Sequence, residues 1–175
     1  PGRIFFPSQQ TITVNDQQIT LVDDISRLAN DQFIHDETIW DMFMPSVYAI
    51  KQNSETILQL DLTQNALWYN NSQGGLIHRT ISGNFTITAR VNAVQKSNNS
   101  QPVSCNICLG GLMVRDPANS GGENYVHLVT GFTPDGLGVE FKSTTDGTSV
   151  FTTSPDGRAL HALRIQRVGS TFSLY

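Results

Sequence analysis

The chain has 175 residues and a formal net charge of −4, and only 15% of its residues are charged. That length suits one domain of the usual ~100–200 residues and can bury a core without staples. The acidic balance excludes a phosphate-tracking surface, which needs clustered Lys and Arg, so no nucleic-acid partner is expected.

No apolar run approaches the roughly 18 residues of a membrane helix, so no membrane insertion is expected. The opening "PGRIFF" lacks the apolar stretch of a signal peptide. Abundant Thr, Ser, Asn and Gln with few Lys and Glu suit β-structure that faces water.

In chain order, "TITV" and "QQITLV" flank Asn15-Asp16, a pair that tolerates φ > 0 and predicts a tight β-hairpin. Residues 1–22 then form an N-terminal extension, and residues 23–175 form the main domain. The one helical candidate is a single turn over residues 24–29, with Asp24 as its cap and Ile25 and Leu28 on its apolar side.

From Asp16 to Asp41 the acids Asp16, Asp23, Asp24, Asp31, Asp36, Glu37 and Asp41 face only Arg27. Such a run reads as a solvated acidic region. Its sharper alternative is calcium held by Asp31, Asp36 and Asp41, since calcium takes about six to eight oxygens from flexible loops. No other cofactor is expected.

Beyond Trp40, itself a core candidate, apolar and polar residues alternate with period two. Strands are predicted over 48–50, 57–62, 66–69, 76–81 and 85–94. The second half adds 111–115, 125–129, 137–142, 150–153, 160–167 and 171–175. The breaks "TPDG", "TTDG" and "SPDG" supply a preset φ and a φ > 0 position, so they are turns with a mechanism; "KSNNSQP" reads as a loop. Short strands at close spacing with no helices between them predict an all-β fold, an antiparallel sandwich or barrel.

The only cysteines, Cys105 and Cys108, stand in "CNIC". One CxxC is at most half a structural zinc site, and no βαβ context favours redox work. Residues three apart on a strand point to opposite faces, so a disulfide here requires a turn. Two free thiols and a small loop disulfide both remain open.

Parity sorts the strands. Phe85, Ile87, Ala89 and Val91 point one way, as do Leu112 and Val114, Val126 and Leu128, and Leu163 and Ile165; these ten form the predicted core. The opposite parity presents Arg90, Arg115, Tyr125 and His127. If these strands share one sheet, those four lie together on an open face.

The segments "GGLIHRTISGNFTITARV", "GGLMVRD", "NYVHLV" and "ALRIQRVGSTFSLY" resemble the concanavalin A-like lectin/glucanase superfamily. The likeness is nearest to the small non-catalytic sandwich domains of β-xylosidases and of many uncharacterised bacterial proteins. Three motifs carry it in order: G-D/N-F-x-h-x-A-R-V at 83–91, A/G-G-L-h-V-R at 110–115, and L-R-I-x-R-x-G-x-x-F at 163–172. The likeness runs from about Asp31 to Tyr175. It implies a two-sheet jelly-roll β-sandwich, here with an extra N-terminal hairpin. In that family the pattern continues beyond F-x-x-Y with a Ser-x-Asp-Gly turn and a Trp-bearing strand. Here the sequence stops at Tyr175, so that strand is either absent, supplied by a neighbour or replaced by the N-terminal hairpin over 11–22, and an open edge left there would invite pairing with another chain.

The superfamily's β-glucanases carry Glu-x-Asp-x-Glu on one strand, with nucleophile and acid about 5–5.5 Å apart. No such run occurs: Glu140 stands alone, and Glu55 and Glu123 fall in predicted loops. The resemblance therefore implies a binding module and not an enzyme, with glycoside hydrolysis as the weakest reading. Sugars are held by aromatic stacking and by polar side chains that pair with hydroxyls. The candidates are Arg90, Arg115, Tyr125 and His127 on the sheet, with Trp68 and Tyr69 beside the Asn-rich loop. Two converging guanidinium groups predict a neutral or acidic glycan.

Each candidate has a structural rival: Trp68 as core, the arginines as loop ties, Tyr125 packed under a loop. A different class of function is an assembly subunit, such as a virion or tail decoration protein or a surface module, that self-associates through the edge near Tyr175. Either reading implies an extracellular, cell-surface or virion setting.

Overall fold

The computed structural model describes residues 2–6, 11–14, 17–20, 41–54, 57–118 and 120–175. In chain order the strands are β1 (Gly2–Phe6), β2 (Thr11–Val14), β3 (Gln17–Thr20), β4 (Asp41–Phe43), β5 (Tyr48–Ser54), β6 (Ile57–Leu62), β7 (Leu76–His78) and β8 (Phe85–Asn92). They continue with β9 (Val94–Gln95), β10 (Asn98–Pro102), β11 (Cys108–Arg115), β12 (Tyr125–Thr133), β13 (Gly136–Thr145), β14 (Thr148–Pro155), β15 (Leu160–Val168) and β16 (Thr171–Leu174). Among the described residues the only helical element is a 3-10 turn at Pro45–Val47.

Two antiparallel sheets position the site. One is a meander in the order β11-β12-β13-β14; the other has the order β16-β15-β8. The meander is tight because its turns are pre-set. Asp146 and Gly147 join β13 to β14 at φ 47° and 74°, the paired positive dihedrals of a hairpin turn that matches strand twist. Between β12 and β13 the Thr133 hydroxyl donates to the Gly136 carbonyl at 2.8 Å and accepts from the Asp135 N–H at 3.1 Å.

Both sheets feed one apolar cluster. Leu112, Leu128 and Val139 come from the four-stranded sheet, and Ala89, Val91, Leu163 and Ile165 from the three-stranded one. Ile87, Val114 and Val126 pack against it, and Phe85 is buried beside Ile87 and Val114. All ten predicted core residues therefore fall where parity placed them. Removing such side chains from water stabilises by about 1.5–3 kcal/mol each.

The N-terminal hairpin is present as β2 paired with β3, with Val14 opposite Gln17. β1, which the sequence did not reveal, inserts between β6 and β9 in a five-stranded sheet of order β10-β9-β1-β6-β5. The predicted helical turn over 24–29, Trp40, Asp31 and Asp36 lie outside the described residues, and Asp41 is exposed on β4.

Three strand assignments change. Residues 66–69 form no strand, because Tyr69 bridges only Ser72 across a turn. The strand predicted over 76–81 stops at His78, which pairs with Asp41, the first residue of β4. Asn98–Pro102, expected as loop, pairs with β9 despite its turn-like composition. Cys105 and Cys108 form a disulfide with Cα atoms 5.7 Å apart, across a turn in which Ile107 has φ 52°.

Candidate functional site

The candidate site is the face of the four-stranded sheet turned away from the core. Strand pairing aligns Arg115, Tyr125, Thr144 and Ser149 in one cross-strand row, and Met113, His127, Lys142 and Phe151 in the next. Glu140 lies one row further, opposite Val129 and Thr153. The alternation that buries Leu112 and Leu128 thus gathers charged and aromatic side chains on the other side.

Arg115 is held as a fork. Its Nε donates to Glu123 Oε2 at 2.7 Å and its Nη2 to Glu123 Oε1 at 2.9 Å. This bidentate pairing, with the carboxylate charge behind it, raises the Arg115 pKa further. Glu123 is buried and also accepts from Gln73 Nε2. The Arg115 guanidinium lies 5.1 Å from the Phe43 ring centroid and 5.8 Å from that of Trp68.

The second cluster centres on Glu140. His127 Nε2 and Lys142 Nζ each stand 2.9 Å from Glu140 Oε1, and all three residues are buried. Burial is the main force on His127 and pushes its pKa below the usual value, outweighing the hydrogen bond to Glu140. Burial works to raise the Glu140 pKa, but the hydrogen bonds from His127 and Lys142 and the Lys142 charge win and lower it. Glu140 is thus ionised and His127 neutral at pH 7. A carboxylate only accepts, so the imidazole proton sits on Nε2.

Residues 67–75 form a strap across this face. Trp68 stacks with Phe43 and meets Tyr125 edge-on, and its carbonyl accepts from Lys142 Nζ at 2.9 Å. A tight turn follows, with Ser72 N–H donating to the Tyr69 carbonyl at 2.8 Å and Asn70 at φ 52°. Asn70 N–H donates to Ser149 Oγ at 2.7 Å, while Asn70 Oδ1 accepts from Ser149 N–H at 3.0 Å. Asn71 Oδ1 accepts from Glu123 N–H at 3.1 Å.

The strap changes the character of the predicted open face. Tyr125 and His127 have the outward parity expected of them, yet each is only 4% exposed: the Trp68 ring packs on Tyr125, and His127 lies against the Tyr125 ring and Glu140. Arg90 is not their neighbour. It projects from β8, whose opposite side carries Ala89 and Val91 into the core, so Arg90 and Arg115 lie on opposite sides of that core. Among the described residues only one guanidinium is present at the site, and Glu123 neutralises it; the Arg90–Arg115 pair expected from sequence does not converge.

Trp68 is half-buried, and its Nε1 donates to the Gly75 carbonyl at 3.4 Å. Tyr69 remains exposed at 39%, beside Phe151 at 40%. Their rings meet edge-to-face with centroids 6.4 Å apart. Lys142 Nζ sits 5.3 Å from the Tyr69 ring centroid and 5.6 Å from that of Phe151.

Sequence reasoning missed Glu123, Glu140, Lys142, Asn70, Asn71 and Phe151 as parts of this face. The shared parity of Glu140 and Lys142 was a signal for two of them; nothing in "GGEN" announced a buried Glu123. Among the described residues no three His, Cys, Asp or Glu side chains come together as a metal cluster. No family model, curated protein or solved structure matches the chain.

Proposed function

We propose that the chain is a non-catalytic carbohydrate-binding module on a concanavalin A-like jelly-roll sandwich, with its binding surface at the rim formed by Tyr69 and Phe151. The observation that carries this reading is the exposed aromatic pair bordered by the Asn70–Asn71 turn. Aromatic faces cover the apolar C–H surface of a sugar ring, and side-chain amides pair with its hydroxyls. Arg115, Tyr125, His127 and Trp68 then act as the underlayer that fixes the turn, not as contacts. A non-catalytic role is favoured by the carboxylates of the face, since Glu123 and Glu140 are both ion-paired. The Cys105–Cys108 disulfide favours an oxidising, extracellular or surface setting.

The test is a glycan array followed by calorimetry on the wild type, Tyr69→Ala and Phe151→Ala. Binding lost in both variants, with unchanged melting temperature, supports the module. Binding retained by both variants refutes the rim.

An assembly role is the second reading, favoured by the edge strand β14. Its sequence "TSVFTTSP" carries no charge, and Val150 is 72% exposed, features of an edge able to add a strand from another chain. The edge at β16 and Tyr175 is the other candidate. Light scattering separates the readings: a stable, sugar-blind oligomer that Val150→Lys dissociates favours assembly through β14.

A further inference from the structure

Resting on that reading, we infer that the Tyr69–Phe151 rim selects neutral glycans and discriminates against acidic ones. Among the described residues, each cation in contact with the face is already engaged. Arg115 gives two donors to Glu123, and Lys142 is shared between Glu140 and the Trp68 carbonyl. Lys142 is also buried beneath the two rings, so its ammonium polarises them from below and offers no accessible charge. His127 adds no charge at pH 7, because burial holds its pKa down.

The exposed charges near the rim have the opposite sign. Asp135 accepts from the Thr153 hydroxyl, two residues along the same strand face from Phe151. At the other end Asp146 occupies the turn whose Gly147 lies against Asn71. Both carboxylates are exposed, and neither has a cationic partner among the described residues. A uronate or sialate docked on the rings would stand between two negative groups with no fork to receive it. A neutral sugar meets only rings and amide donors. The side-chain nitrogens of Asn70 and Asn71 make no hydrogen bond among the described residues, because each amide is anchored through its oxygen.

The experiment is calorimetry of the whole chain against neutral β-glucan, mannan and xylan oligosaccharides, oligogalacturonate, sialyl-lactose and chitosan oligomers, at 50 and 500 mM salt. Binding to a neutral oligosaccharide that is unchanged by salt, at least about fivefold tighter than to any acidic one, is expected from even one nearby like charge. Asp135→Asn combined with Asp146→Asn should narrow that gap without altering neutral binding. Tighter binding of an acidic or amino sugar, lost in Tyr69→Ala and weakened by salt, overturns the selectivity but leaves the rim in place. Failure to bind any of these glycans overturns both.

Discussion

Trp68 meets Tyr125 edge-on, with ring centroids 5.6 Å apart and ring planes at 69°. The contact joins a strap with no strand pairing of its own to the Arg115–Tyr125–Thr144–Ser149 row of a β-sheet. Tyr125 is therefore part of a secondary core, and Tyr125→Ala should cost about 3–5 kcal/mol, the usual loss for truncating a buried aromatic. Urea denaturation checks this. A loss below about 0.5 kcal/mol would mean that the strap does not cover the ring.

Tyr125→Phe should act in the opposite direction. Among the described residues the Tyr125 hydroxyl is the one buried side-chain polar atom without a hydrogen-bond partner. An unsatisfied buried hydroxyl costs about 1–3 kcal/mol of desolvation. Deleting it while keeping the ring should leave the midpoint unchanged or raise stability by up to about 1 kcal/mol. A clear loss of stability would reveal a partner for that oxygen.

The direction of Tyr125 was legible in the sequence, and its cover was not. Period two says which side of a sheet a residue faces, but not whether another segment lies on top. The covering contacts are non-local: Asn70 pairs with Ser149 at a separation of 79 residues, and Gln73 with Glu123 at 50. Residues 66–69 passed for a strand because Ala66-Leu67-Trp68-Tyr69 is an apolar run, yet the strap is anchored by single hydrogen bonds and not by a ladder. Arg90 was misplaced for a related reason. Parity orders residues within a strand, whereas the assignment of strands to sheets rests on which hairpins pair, and β8 pairs with the distant β15. By contrast, the Asp146-Gly147 hairpin and the ten core positions are local patterns, and local patterns are what one sequence carries.

Glu123 holds both the Arg115 fork and the Gln73 end of the strap. Glu123→Ala should cost about 3–5 kcal/mol, because a mostly buried guanidinium would lose its counter-charge. The fluorescence of Trp68 should shift to the red as the strap loosens. An unchanged spectrum with full stability would separate the salt bridge from strap closure.

Stability should fall on acidification in two stages. His127 has a folded pKa below its ordinary value of 6.5, so below pH 6.5 the unfolded chain takes up a proton that the folded one refuses. The loss grows as pH falls from 6.5 to that lowered pKa, at no more than about 1.4 kcal/mol per pH unit. Glu140, lowered from 4.5, and Asp156, lowered from 3.8 chiefly by its hydrogen bond from His161, add a second stage below those values. His127→Gln should abolish the first stage and keep the second. Denaturation midpoints between pH 3 and 8 read both, and a first stage that persists in the variant would assign it elsewhere.

Gly147 ties the hairpin to the strap. It occupies φ 74°, a dihedral that β-carbon-bearing residues resist, and a Cβ there would lie 2.3 Å from Asn71 Oδ1. Gly147→Ala therefore strains the turn and displaces the side chain that accepts the Glu123 N–H. Turn strain alone should cost about 1 kcal/mol or more. The displaced Asn71 should also disorder the Asn70–Ser149 pair and with it the ring of Tyr69, so glycan affinity should drop further than stability does. Asp146→Asn, which keeps a residue tolerant of positive φ at the neighbouring turn position, is the control and should leave the turn intact. Hydrogen exchange at the Ser149 and Glu123 amides reports the strap contacts directly. Faster exchange at both in Gly147→Ala, with neither affected in Asp146→Asn, is the expected pattern; equal protection in all three proteins would show that the close approach of Gly147 to Asn71 does not hold the strap.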